Sequence, residues 1–172
     1  DLLVATNRDT GGRSYALLEQ AFQRLAGTKI FTNIKTGGSR IREGFGLIES
    51  YRIVEKSPKD SRMVAVEVVL SEWLYRAVEH REVLTLNRDY FRLGKAIDRR
   101  IYELARKHCG GQYSWKISLE LLFKKSGSQG TPRKFRHIIK GLAESNHLPD
   151  YHIAYSTKTD MVSFINRDEG VK

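Results

Sequence analysis

The sequence predicts an α+β chain made of two consecutive modules, each a helix followed by a β-hairpin, and three observations carry that prediction. Between Ser118 and Ser145 two short helices are punctuated by Ser126-Gly127-Ser128-Gln129-Gly130. After them, alternating apolar residues on either side of Ser156-Thr157-Lys158-Thr159-Asp160 predict a hairpin. The same order of helix and hairpin occurs earlier, from Arg13 to Leu70, without residue-by-residue similarity. Two helices joined by a glycine-containing turn match the helix-turn-helix pattern, and a hairpin directly behind it makes the winged-helix arrangement. The expected architecture is therefore a pair of tandem winged-helix modules, residues 1–80 and 81–172, the first truncated at its N-terminus because its opening helices are missing.

Taken in order, the chain opens on a short apolar run, Leu2-Leu3-Val4, ended by Gly11-Gly12. A helix is predicted from Arg13 to Ala26, with Tyr15, Leu18, Phe22, Leu25 and Ala26 on one face and Arg13, Gln20 and Arg24 on the other. Lys29 to Ile34 reads as a strand, and Lys35-Thr36-Gly37-Gly38-Ser39-Arg40 as a basic, glycine-rich loop. A phosphate cradle is a weak reading of that loop, since the Gly-Lys-Ser/Thr of a P-loop is absent; a DNA-contacting loop or a plain connector fits better. Phe45 to Lys56 and Arg62 to Leu70 are rich in β-branched and aromatic residues and flank a turn at residues 57–61, which predicts the first module's hairpin. Ser71 caps a connecting helix bearing Trp73, Leu74, Ala77 and Val78.

In the second module, Glu82 to Leu86 reads as a short strand and Asp89 to Cys109 as the longest helix, ended by Gly110-Gly111. Leu93, Ile97, Ile101, Leu104 and Ala105 form its apolar face; Arg92, Lys95, Arg99 and Arg106 lie outside it, as a solvated face rather than a DNA contact. Gln112 to Ile117 is extended, with Trp115 as a core anchor. Ser118 caps the first helix of the pair and Gly127 ends it; Thr131 caps the second and Pro132 takes its first position, where a missing N–H costs nothing. On that second helix Phe135, Ile138, Ile139 and Leu142 form one stripe. Arg133, His137 and Lys140 point away from it, with Lys134 and Arg136 on its flanks. A basic outer face on the second helix is what reading the DNA major groove requires, because Arg can bond guanine in a bidentate fashion. A solvated helix on an ordinary core is the plainer alternative. Lys158, flanked by Thr157 and Thr159 at the hairpin tip, is suited to phosphate oxygens. In the first module the candidate DNA contacts are Arg13, Arg24, Lys35, Arg40 and Arg42. Their weaker clustering, and Ala16 and Leu17 lying away from the apolar face, leave protein contact open for that module.

Composition narrows the partners. Thirty Lys plus Arg against 20 Asp plus Glu in 172 residues give a formal charge of +10 and a pI near 9.8, a balance that favours a polyanion. No apolar run approaches the ~20 residues of a spanning helix and no signal peptide opens the chain, so no membrane partner and a cytoplasmic location are expected. The single cysteine, Cys109, excludes an internal disulfide, and the five histidines form no ligand pattern, so no metal and no cofactor are expected. Walker, HExxH, GxSxG and paired-histidine nuclease motifs are absent, and the scattered carboxylates Asp89, Asp98 and Glu103 sit beside basic residues. A binding protein rather than an enzyme is expected.

Four segments carry a resemblance. RIREGFGLIESYRIV (Arg40 to Val54), VEVVLSEWLYRAV (Val66 to Val78), DYFRLGKAIDRRIYELARKHCG (Asp89 to Gly110) and LPDYHI (Leu148 to Ile153) together resemble the RepA-type plasmid replication-initiator proteins of bacteria. The resemblance implies sequence-specific binding of repeated double-stranded origin sites by tandem winged-helix domains, local duplex opening and recruitment of host replication proteins. Carried onto this sequence, it places DNA contact on the outer face of the helix from Thr131 to Ser145 and on its wing. A winged-helix transcription regulator and a winged-helix interaction module that binds no DNA are the alternatives, and a homodimer through the first module is a third expectation about partners.

Overall fold

A computed structural model describes residues 2–32, 35–36, 39–40, 42–57 and 59–168. It mixes helices and antiparallel strands, as expected, and divides into two compact units, Asp1–Val83 and Leu84–Lys172.

In the first unit a one-turn helix α1 (Leu2–Ala5) precedes α2 (Gly12–Gly27). Phe22 is the buried anchor of α2 and stacks on Tyr51, ring centroids 5.6 Å apart. Strands β1 (Lys29–Thr32) and β4 (Glu43–Gly46) pair antiparallel, and β2 (Lys35–Thr36) pairs with β3 (Ser39–Arg40) between them. The stretch expected to be a glycine-rich loop is thus mostly the paired end of a hairpin; its centre, residues 37–38, lies outside the described residues. The expected single strand from Phe45 to Lys56 is two elements: β4 ends at Gly46 and β5 (Ile48–Ser57) begins after Leu47, whose carbonyl accepts the Ser71 N–H at 3.3 Å. β5 pairs with β6 (Asp60–Leu70), so two hairpins follow α2 where one was expected. Ser71 caps α3 (Glu72–Glu79) by accepting the Leu74 N–H, and Trp73 stacks on Phe45 at 4.3 Å. Packing here is thin: Leu3, Phe22, Ile48 and Ala77 are the buried apolar residues among those described, while Phe31, Val64 and Val69 are 82%, 60% and 54% exposed.

The second unit is better packed. Glu82 to Leu86 forms no strand, contrary to expectation, and its backbone groups bond elsewhere: the Glu82 N–H donates to the Ala77 carbonyl at 2.8 Å and the Thr85 carbonyl accepts Arg106 Nε at 3.0 Å. The expected long helix from Asp89 is also interrupted. A 3₁₀ turn (Arg88–Arg92) ends before Gly94, and α4 (Ala96–His108) starts afresh. Arg99 Nε donates to the Leu93 carbonyl at 2.7 Å, which satisfies a group the break leaves open. Next come β7 (Ser114–Ser118), α5 (Leu119–Ser126), α6 (Pro132–Ser145), β8 (Tyr151–Ser156) and β9 (Met161–Asn166). β9 lies between β7 and β8 in a three-stranded antiparallel sheet. Ile101, Leu122, Phe135, Ile139, Val162 and Phe164 from all these layers meet in one core, each 1% exposed or less.

Candidate nucleic-acid interface

The turn between α5 and α6 is built by local chemistry. Ser118 Oγ accepts the Leu121 N–H, and Gly127 ends α5 at φ +70°, a left-handed conformation that glycine adopts without a Cβ penalty. Thr131 Oγ1 accepts the Lys134 N–H at 3.3 Å, and Pro132 opens α6. At the other end Asn146, left-handed at φ +47°, stops α6, and its side-chain carbonyl accepts the Ile153 N–H at 3.0 Å, tying the helix end to β8.

One face of α6 is closed and the other is open. Phe135, Ile139 and Leu142 are buried, whereas Arg133, Lys134, His137 and Lys140 are exposed. Arg136 differs from these four. Its Nε donates to Tyr155 Oη (3.1 Å) and Asp160 Oδ1 (3.3 Å), and its Nη2 to Asp160 Oδ2 (2.9 Å). Bonds to Asp160 and Tyr155 hold the Arg136 guanidinium above its usual range, and the guanidinium holds the Asp160 carboxyl below the usual carboxylate range. The Arg136 guanidinium is therefore paired with a carboxylate of its own chain, and both groups stay partly exposed. The turn between β8 and β9 exposes Thr157, Lys158 and Thr159, and Arg136 connects that turn to α6.

The expected site residues of the second unit, Thr131, Arg133, Lys134, Arg136, His137, Lys140 and Thr157 to Thr159, thus lie on one helix with its cap and on the turn bonded to it. In the first unit Arg13 and Arg24 are exposed on α2 and Arg42 is exposed before β4; the side chains of Lys35 and Arg40 lie outside the described residues. Three further lysines lie on β7 and α5. Lys124 and Lys125 are exposed in the last turn of α5 and Lys116 on β7. Adjacent lysines just before the Gly127 turn are the sequence signal for the α5 pair. Lys124 pairs with Glu120 at 2.7 Å, and the Lys125 carbonyl accepts Arg100 Nη2 at 3.0 Å, which fixes the end of α5 to α4.

Among the described residues no group of His, Cys, Asp or Glu is arranged to hold a metal ion, and no helix is long and apolar enough to cross a membrane.

Known proteins resemble this chain in both sequence and fold. A "Putative replication protein" of Wigglesworthia glossinidia brevipalpis is 42% identical over 168 residues, covering 97% of this chain; the chain spans 61% of that relative's length. A crystal structure of RctB domains 2-3 superposes with a TM-score of 0.64 over 96% of this chain and 72% of that one, at 12% identity. A selenomethionine structure of RctB domain 2 and domain 3 gives 0.64 over 95% and 71%, at 10% identity. At such identities the likeness is one of fold. The family described as "Replication initiator protein A" matches residues 1–153, a span that takes in α6 whole and ends inside β8. With that match extending over most of its length, the chain belongs to the replication initiator protein A family.

Proposed function

We propose that the second unit is a winged-helix domain whose α6 enters the DNA major groove, and that the chain belongs to a plasmid replication initiator binding repeated double-stranded origin sites. The observation that carries this reading is the division of α6 into a buried apolar stripe and an exposed face holding Arg133, Lys134, His137 and Lys140. A helix fixed on its core side and basic on its outer side, preceded by a capped short helix and a tight turn, has the geometry for base reading. The order α4, β7, α5, α6, β8, β9 with β9 in the middle of the sheet supports a winged helix, and the family supports the origin as the DNA.

On this reading the protein acts by binding: it holds the origin duplex, promotes local opening and brings host replication proteins to it, in the cytoplasm of a bacterium. The first unit adds either DNA contact through Arg13, Arg24 and Arg42 or protein contact, including a homodimer.

Selection of DNA from a random pool with the full chain tests the proposal. Tandem repeats of one short sequence are the expected result. A single palindrome would favour a dimeric transcription regulator, and no enrichment at physiological salt would overturn DNA reading altogether.

A further inference from the structure

Asp160 closes the turn between β8 and β9 with a left-handed φ of +54°, a conformation that aspartate tolerates better than most residues. What singles it out is the bonding of its side chain and its carbonyl. Asp160 accepts two bonds from Arg136, at 2.9 and 3.3 Å, and one from Tyr155 Oη, while Tyr155 Oη also accepts from Arg136 Nε. Its backbone carbonyl accepts the Leu119 N–H at 2.9 Å. One residue therefore joins the wing turn to α6 through its carboxylate and to the start of α5 through its carbonyl.

Resting on the reading of α6 as the groove helix, we propose that Arg136 is a positioning residue and not a base reader: with Asp160 and Tyr155 it forms a strut that fixes the wing against α6, so that Lys158 and the outer face of α6 meet the same duplex. Position along the helix alone would group Arg136 with Arg133 and Lys134. Its bonding separates it from them. The Nε–Nη2 edge, one that a guanidinium can use for a two-bond contact with guanine, faces Asp160, and the carboxylate offsets the charge that a phosphate would otherwise meet. A planar fork bonded to both carboxylate oxygens also fixes direction, which a lysine at the same position would not.

The test uses the full chain with Asp160→Asn, Arg136→Lys and Tyr155→Phe, the last keeping the ring while removing its hydroxyl. Amide hydrogen exchange without DNA is read first. The Thr159 N–H, which donates to Ser156 Oγ within the wing turn, should exchange faster in Asp160→Asn and Arg136→Lys, with α6 amides unchanged. DNA binding to the selected site is then measured across salt. In the unaltered chain Lys158→Ala should remove about 0.9 from the slope of log affinity against log salt; in the Asp160→Asn background the same change should remove almost nothing, and the preferred sequence should stay the same in all three variants. Two results overturn the strut: unchanged wing exchange with a full Lys158 contribution in Asp160→Asn, or tighter binding by Asp160→Asn together with altered base preference in Arg136→Lys. The second would make Arg136 a reader held back by Asp160. If the unaltered chain selects no DNA while wing exchange rises as expected, the groove reading has failed and the strut has not.

Discussion

Replacing Lys158 by alanine should flatten the salt dependence of DNA binding and leave the preferred sequence alone. Lys158 is exposed between Thr157 and Thr159 on a turn closed by the bond from the Thr159 N–H to Ser156 Oγ at 3.3 Å. One ammonium on a closed turn can neutralise one phosphate, and each phosphate neutralised on B-DNA contributes about 0.9 to the slope of log affinity against log salt. Between about 50 and about 200 mM salt, that difference in slope amounts to roughly 3.5-fold, so the advantage of the unaltered chain over the variant should shrink by that factor. Fluorescence anisotropy with the selected duplex and with an unrelated one, each over a range of salt, measures it. Both duplexes should lose alike, since a phosphate contact carries no sequence information. Parallel salt plots for the two proteins would place the wing off the DNA, and a loss confined to the selected duplex would make Lys158 a base contact.

Arg133→Ala should act in the opposite way, lowering discrimination by about 1–3 kcal/mol, roughly 5- to 150-fold, while non-specific binding changes little; selection with the variant should show relaxed preference at one position of the site. Replacing Arg13, Arg24 and Arg42 together by glutamine should shorten the protected region and weaken binding, because two units gripping one duplex share a high effective concentration; an unchanged footprint would assign the first unit to protein contact. Stability should fall at alkaline pH in a way that depends on Tyr102. Burial, opposed by the bond from the Asn87 N–H and reinforced by Asp150, pushes its hydroxyl up from 10.0 to about 12. A raised folded-state value means the contribution is whole below pH ~10 and lost as pH climbs towards ~12. Urea unfolding of Tyr102→Phe at neutral and alkaline pH should show a smaller alkaline loss than the unaltered chain; equal losses would exclude Tyr102 as the source.

Features set by neighbouring residues were legible in the sequence. The caps at Ser118 and Thr131, Pro132 at the start of α6 and left-handed Gly127 each depend on a few consecutive positions, and each stands in the structure where the sequence pointed. The apolar stripe of α6 was legible for the same reason, since periodicity survives folding. Elements that need a distant partner were not. Glu82 to Leu86 has strand-like residues but pairs with no strand among the described residues, and Lys35-Thr36 has the composition of a loop although it pairs with Ser39-Arg40. The helix expected from Asp89 is interrupted at Gly94, and the bonds from Arg99 Nε to the Leu93 carbonyl and from Tyr90 Oη to Glu103, which hold the two pieces together, join positions that the sequence does not show as neighbours. Among the site residues, Arg136 shows the limit most clearly. Helical projection puts it at the edge of a basic face, while Asp160, 24 positions away, engages it in the fold.

Base reading by α6 is the central claim, and dimethyl sulfate protection at the selected site tests it most directly, because the reagent attacks guanine N7 and that atom faces the major groove. The bound chain should protect guanines in every repeat, and Arg133→Ala should restore reactivity at one guanine per repeat while the backbone footprint persists. Full guanine reactivity under a bound chain, or protection that Arg133→Ala, Lys134→Ala and His137→Ala all leave intact, would contradict a groove-reading α6.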